Sequence, residues 1–187
     1  MKKLIILIYI IIQVHNVFGQ QPADKSIKYW FDIGIGNYIT TNNSGGLNWN
    51  ASINLINKKS MVYKIRYLNL EEFNLYGPSP SEKYTSGGIM IGKVYFAKYG
   101  HCAFLCGIGE TGGIKRGKFL YENINILFGD GRNYESVSFS TVSIPLEVDL
   151  QYKPIKYIGI GTSFFCDLNL ERPMCGFLFK IGLGRLR

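Results

Sequence analysis

Residues 106–119 read CGIGETGGIKRGKF and match two nucleotide-binding spacings at once. Gly107, Gly109 and Gly112 fit G-x-G-x-x-G, in which glycines let the backbone approach a pyrophosphate at a helix N-terminus. Gly112, Gly117 and Lys118 fit G-x-x-x-x-G-K, but Phe119 stands where a phosphate loop needs Ser or Thr to reach Mg²⁺. Two further groups have the residue types for chemistry. Glu147 and Asp149 lie two apart, on one face of a strand, and paired carboxylates serve general acid–base catalysis. Cys102, Cys106, Cys166 and Cys175 could form bridges or, with His101, hold a metal.

The surrounding elements decide among these chemistries. A dinucleotide fingerprint needs a strand, a helix opening on its third glycine and a second parallel strand. AFLCGIG supplies the first strand, and NINILFGD, residues 123–130, imitates the second. The helix fails: residues 113–122 contain Gly113 and Gly117 and show no 3.6-residue period. The sequence therefore predicts no nucleotide and no other cofactor. No zinc spacing is present, and His101 is the one histidine after residue 19, so no metal site is expected. Cys102 and Cys106 would sit about 13 Å apart in an extended strand, too far to bridge. Cys166 and Cys175 flank a short connection and are the candidate disulfide.

The dominant period is two. In LNWNASINL, residues 47–55, Leu47, Trp49, Ala51, Ile53 and Leu55 oppose Asn48, Asn50, Ser52 and Asn54. In VSIPLEVDLQY, residues 142–152, Val142, Ile144, Leu146, Val148, Leu150 and Tyr152 oppose Ser143, Glu147, Asp149 and Gln151. Similar alternation marks 29–39, 61–68, 157–166 and 175–186, with weaker strands at 86–96 and 102–110. The reading is all-β, with eight strands. Pro145 cannot donate to a ladder, so a bulge is expected there. Val137 and Phe139 fall out of phase with Val142, which predicts a second bulge. Short connections (56–60, 97–101, 153–156) alternate with longer ones (40–46, 69–85, 111–136, 167–174).

The chain opens MKKLIILIYIIIQVHNVFG, with two lysines, an apolar run over 4–12 and small residues at Val17 and Gly19. This predicts a signal peptide over 1–19, cut before Gln20, and one domain over 20–187. The run is about half the roughly 20 residues a spanning helix needs. The formal charge of +8 falls to +6 on cleavage, because Lys2 and Lys3 leave and no other charge lies in 1–19. A mild basic excess suits an acidic surface such as lipopolysaccharide; nucleic acid does not suit an exported chain.

Which way the apolar face points separates a soluble barrel from a membrane one. A solvated exterior is thick with Lys and Glu, whereas here the polar face is mostly Gly, Asn and Ser. Its few charges nearly cancel: Asp32, Glu147 and Asp149 against Lys64, Arg66 and Lys180. Small residues and balanced charges fit the side-chain-filled lumen of an eight-stranded barrel, where buried charges must be paired. Val142 to Leu150 spans about 26 Å along the strand, or about 20 Å of bilayer at a tilt of roughly 40°. Tyr29, Tyr67, Tyr95, Tyr152 and Phe177 lie at the ends of apolar faces, as interfacial girdles do.

With IPLEVDLQYKPIKYIGIG (144–161) and GFLFKIGLGRLR (176–187) as its last strands, the chain resembles the small eight-stranded outer-membrane β-barrels of Gram-negative bacteria. The plan is that of the OmpA and OmpX class, and the group's members are mostly uncharacterised. One departure is the ending Leu186-Arg187, since many such barrels end in an aromatic residue. The resemblance implies an antiparallel up-and-down transmembrane barrel in the outer membrane. Its implied role is non-enzymatic: membrane structure, or recognition of an extracellular partner through loops 69–85 and 111–136. The alternatives are a lipid-modifying outer-membrane enzyme, a small pore and a soluble periplasmic ligand-binding barrel. An enzyme needs a base near a nucleophile, and His101 falls in a short turn at the end opposite the long loops.

Overall fold

A computed structural model describes residues 28–42, 44–57, 59–73, 77–97, 99–122, 131–155 and 157–185. The expected signal peptide, NINILFGD and the Leu186-Arg187 ending lie outside the described residues. The regular structure is eight strands: β1 (Lys28–Thr40), β2 (Gly45–Ile56), β3 (Met61–Glu72), β4 (Lys83–Ala97), β5 (Gly100–Glu122), β6 (Arg132–Tyr152), β7 (Ile158–Asn169) and β8 (Met174–Arg185). Each pairs antiparallel with the next, and β1 pairs with β8, closing an up-and-down barrel. Closure removes the sheet edges, so every strand has a partner on both sides.

The alternation points as the sequence predicts. Along β1, Phe31, Ile33 and Ile35 face outward while Trp30, Asp32 and Gly34 face inward. On the other strands Ile53, Ile65, Ile89, Ile108, Val142, Ile160 and Ile181 are likewise exposed. At one end of the barrel, the turn end, lie Ser60, after β2, Tyr99, after β4, and Lys153, after β6. At the opposite, mouth end lie, among the described residues, 41–42, 44, 73, 77–82, 131 and 170–173.

Three sequence expectations change. First, the connection 69–85 is strand at both ends, and the connection 111–136 is largely strand. β3 runs to Glu72, β4 starts at Lys83, and β5 and β6 have 23 and 21 residues. Beyond the barrel wall these two strands pair with each other, from Lys115↔Val137 to Glu122↔Arg132. Mutual hydrogen bonding holds that hairpin without a buried face, so no apolar alternation marks it.

Second, Pro145 makes no bulge. Cys106↔Leu146 and Gly109↔Ser143 keep one register on either side of it, and Pro145 stays opposite Asp167 on β7. The missing N–H is absorbed by leaving out ladder pairs between Cys106 and Gly109. The inward-facing ring fits because Gly88 across the lumen wall has no side chain, so that a Cβ there would lie 3.3 Å from Pro145 Cγ.

Third, Val137 and Phe139 need no bulge before Val142. They face inward in phase with Ser143, and Phe139 packs on an interior apolar cluster. The apolar side changes from the outer to the inner face, while the register stays fixed. The register shifts fall higher, between Arg116 and Phe119 and between Phe119 and Tyr121.

Candidate functional site

The inward positions of β3 read Val62, Lys64, Arg66, Leu68 and Leu70 from turn end to mouth. They trace three layers through the lumen. The lowest is apolar: Trp30, Ile56, Val62, Met90, Val94, Ala103 and Leu105. The highest is also apolar: Tyr38, Leu68, Leu70, Tyr84, Phe165, Met174 and Leu178. Between them lie Asp32, Lys64, Arg66, Glu147, Asp149 and Lys180, none more than 2% exposed.

The structure brings these six charged residues together and adds a seventh. Glu147 Oε1 accepts from Lys64 Nζ at 2.7 Å and from Lys180 Nζ at 3.1 Å, and Arg66 Nη1 lies 3.5 Å from Glu147 Oε2. Asp149 Oδ2 accepts from Lys180 Nζ at 2.6 Å and Lys64 Nζ at 3.4 Å. Arg66 Nη2 donates to Asp167, the added residue. Asp32 receives Trp30 Nε1 at 3.0 Å, Asn54 Nδ2 at 2.8 Å and Gln151 Nε2 at 3.2 Å, with Lys180 Nζ 4.0 Å away. Glycines make room for this layer: a Cβ on Gly34 would lie 2.7 Å from Lys180 Cγ, and one on Gly182 2.7 Å from Asp32 Oδ1. Asp167 escaped notice because it begins what the sequence presents as a connection.

In this arrangement the charges are paired with one another. Glu147 and Asp149, the carboxylate pair, are held by shared cations. His101 is buried near the turn end, its ring centroid 5.2 Å from Trp30 and 6.2 Å from Phe96. Residues 106–119 run as continuous strand within β5, so the strand–helix junction of a nucleotide site is not formed. Among the described residues no three His, Cys, Asp or Glu side chains cluster to hold a metal.

Ionic and cation–π contacts close the two ends. At the mouth Glu82 collects Tyr84 Oη at 2.6 Å, Arg172 Nη2 at 2.7 Å and the Arg116 backbone N–H at 3.0 Å. Arg116 also reaches Glu72 Oε1 at 2.5 Å and the Pro78 carbonyl at 3.1 Å, and Lys115 pairs with Glu171. This clasp joins three of the mouth connections to β5. Burial works against ionising Glu82. Hydrogen bonds from Tyr84, Ser44 and the Arg116 backbone, with the Arg172 charge, outweigh it and hold the carboxyl below its ordinary range. At the turn end Lys153 Nζ lies 5.3 Å from the Trp30 ring centre, and Lys28 Nζ lies 4.6 Å from that of Phe96. Burial, and then the Lys28 charge, push Lys153 down to about 7.

Cys166 and Cys175 stand directly opposite each other on β7 and β8, on the outward face, and are joined as a disulfide with Cα atoms 4.1 Å apart. Cys102 and Cys106 are free.

No protein-family profile and no curated protein matches the sequence. Solved structures do match in shape. The N-terminal β-barrel domain of Pseudomonas aeruginosa OprF superposes with a TM-score of 0.55 at 10% identity, over 85% of this chain and 99% of that one. Neisserial surface protein A gives 0.58 at 7% identity, over 86% and 97%. Ail of Yersinia pestis, in complex with the heparin analogue sucrose octasulfate, gives 0.55 at 11% identity, over 84% and 97%. At such identities the likeness is one of architecture: the chain has the eight-stranded antiparallel up-and-down fold of the small OmpA/OmpX-like outer-membrane β-barrels.

Proposed function

We propose that the chain is a non-enzymatic outer-membrane barrel, exported by a signal peptide over 1–19 and inserted through residues 20–187. Its lumen is a structural plug, and its mouth end, bearing the β5–β6 hairpin, faces the cell exterior. One observation carries this reading: the outward positions along the middle of all eight strands are mainly apolar, while seven charged residues are gathered and paired in the lumen. In water such an exterior would drive aggregation; against hydrocarbon it is the favourable surface.

The interior argues against the alternatives. A soluble ligand-binding barrel needs an interior cavity, and this interior is filled by two apolar clusters and an ionic layer. A pore needs a wet path, which the same layers block. A lipid-modifying enzyme needs a free base near the outer leaflet, and His101 is buried at the other end.

The hairpin is the recognition surface. Phe119, Leu120 and Tyr121 are more than half exposed on it, beside exposed Lys118 and Arg132. Aromatic residues interleaved with cations suit an anionic partner such as lipopolysaccharide or a sulfated polysaccharide; the matching Ail structure holds a heparin analogue.

Cell fractionation followed by gel mobility with and without boiling tests the reading. The protein should sediment with outer membranes and migrate differently after heating. A soluble, heat-insensitive protein would overturn it, as would discrete conductance steps in planar bilayers for the plugged lumen.

A further inference from the structure

A groove of about 610 Å³ runs over the outer face of β1 to β5. Ala51 and Gly87 line its floor, and Ile65, Tyr67, Ile89 and Ile108 its walls. Its volume falls within the range of ligand sites. Gly87 is the unexpected residue. Glycine weakens a strand interior and adds nothing to an apolar outward face. Crowding explains Gly34 and Gly182, but a Cβ on Gly87 would meet no atom within 4 Å. The missing side chain leaves open space in the middle of the wall.

The residue paired with Gly87 on β5 is Glu110, and the residue paired with it on β3 is Tyr67. Glu110 faces outward and is exposed, with Ser140 Oγ donating to its Oε1 at 2.5 Å. Among the described residues no cation lies within ion-pair distance of it. The groove therefore has an apolar floor and a fixed carboxylate at its mouth-side border. A carboxylate beside hydrocarbon is costly unless a cation or donor meets it.

We propose that this groove seats the acyl chain of an outer-leaflet lipid whose head carries a primary ammonium, with its N–H groups donating to Glu110 and the chain over Gly87. This rests on the membrane-spanning reading above. Charge complementarity selects the head, and the apolar floor selects the tail. Ser140 Oγ occupies one oxygen of the Glu110 carboxylate, Oε1, and leaves Oε2 to take the ammonium.

The test uses the full-length protein in nanodiscs containing equal phosphatidylethanolamine and phosphatidylcholine, with retained lipid counted by native mass spectrometry. Wild type should retain phosphatidylethanolamine over phosphatidylcholine by about tenfold. Glu110→Gln keeps the shape and should erase that preference; Gly87→Leu fills the groove and should remove retention of both lipids. An unchanged preference in Glu110→Gln, unchanged retention in Gly87→Leu, or a dimer in place of bound lipid would each overturn the proposal. Heat-shifted gel mobility of every sample separates the two readings. A wild type that fails to insert sinks the membrane reading, whereas one that inserts without lipid preference sinks this inference alone.

Discussion

Lys64 and Glu147 are 83 positions apart in the chain, yet Lys64 Nζ lies 2.7 Å from Glu147 Oε1 in the middle of the lumen. Both side chains are fully buried, and Glu147 is shared with Lys180 and Arg66. Removing one partner of such a pair leaves an uncompensated charge in a dry interior, at a cost of about 3–5 kcal/mol. Glu147→Ala should therefore lower the unfolding free energy read from urea titration of the heat-shifted species by that much. Replacing Lys64 and Glu147 together with Met and Leu should recover most of the loss. Equal stability of Glu147→Ala and wild type would show that the layer carries no weight.

Glu82 ties the mouth together, and its carboxyl is held below its ordinary value of 4.5. A group whose folded value is depressed contributes stability that is complete above the unfolded value and disappears as pH falls through the folded one. The clasp should thus be intact at neutral pH and loosen below about pH 4.5. Hydrogen exchange in 77–82 and 115–122 should accelerate on acidification, while Glu82→Gln should exchange fast already at pH 7. Acid-insensitive exchange in wild type would contradict the assignment.

Lys153 runs the opposite way. Its folded value is about 7 against an ordinary 10.5. Between those values the unfolded chain holds a proton that the folded barrel does not, so stability rises with pH across that window and is flat below it. The slope is at most about 1.4 kcal/mol per pH unit. Lys153→Met should be more stable than wild type near pH 7 and should lack the rise. Urea midpoints from pH 6 to 10 for both proteins decide it; parallel curves count against the buried lysine.

The Cys166–Cys175 bridge closes a loop with a sequence separation of 9. So short a loop restricts the unfolded chain little, and the chain-entropy relation gives about 3 kcal/mol at most. The double serine variant should still fold and shift its gel mobility on heating, with its unfolding free energy in urea lowered by no more than that. Failure of that variant to insert would mean that the bridge has a role in assembly.

The sequence made the strand count and the inversion legible because the middle of each strand contrasts sharply: Ile53 against Asn54, Val148 against Asp149. The interior apolar layers were harder to read, because near the strand ends both faces are apolar. Phase turns Tyr67 outward, as in the structure, but it does not mark Leu68 and Leu70 as the start of an interior apolar layer. The length of β5 and β6 was hidden because a hairpin outside the barrel wall buries neither face, so Lys115 to Tyr121 follow no pattern. Asp167 shows the limit for the lumen site: its role depends on Arg66, 101 positions away, and no local signal announces that partner.

Lys180, one of the three cations of the ionic layer, comes from β8, the last strand. Asp32, 4.0 Å from it, comes from β1, the first. A nascent chain that has threaded β1 to β7 would enclose four acids with two bases. Zipping the terminal strand onto the first both seals the cylinder and restores its electrical balance to within one charge. A product cut short before β8 would thereby leave an unclosed sheet with two unbalanced negative charges, against one in the finished cylinder.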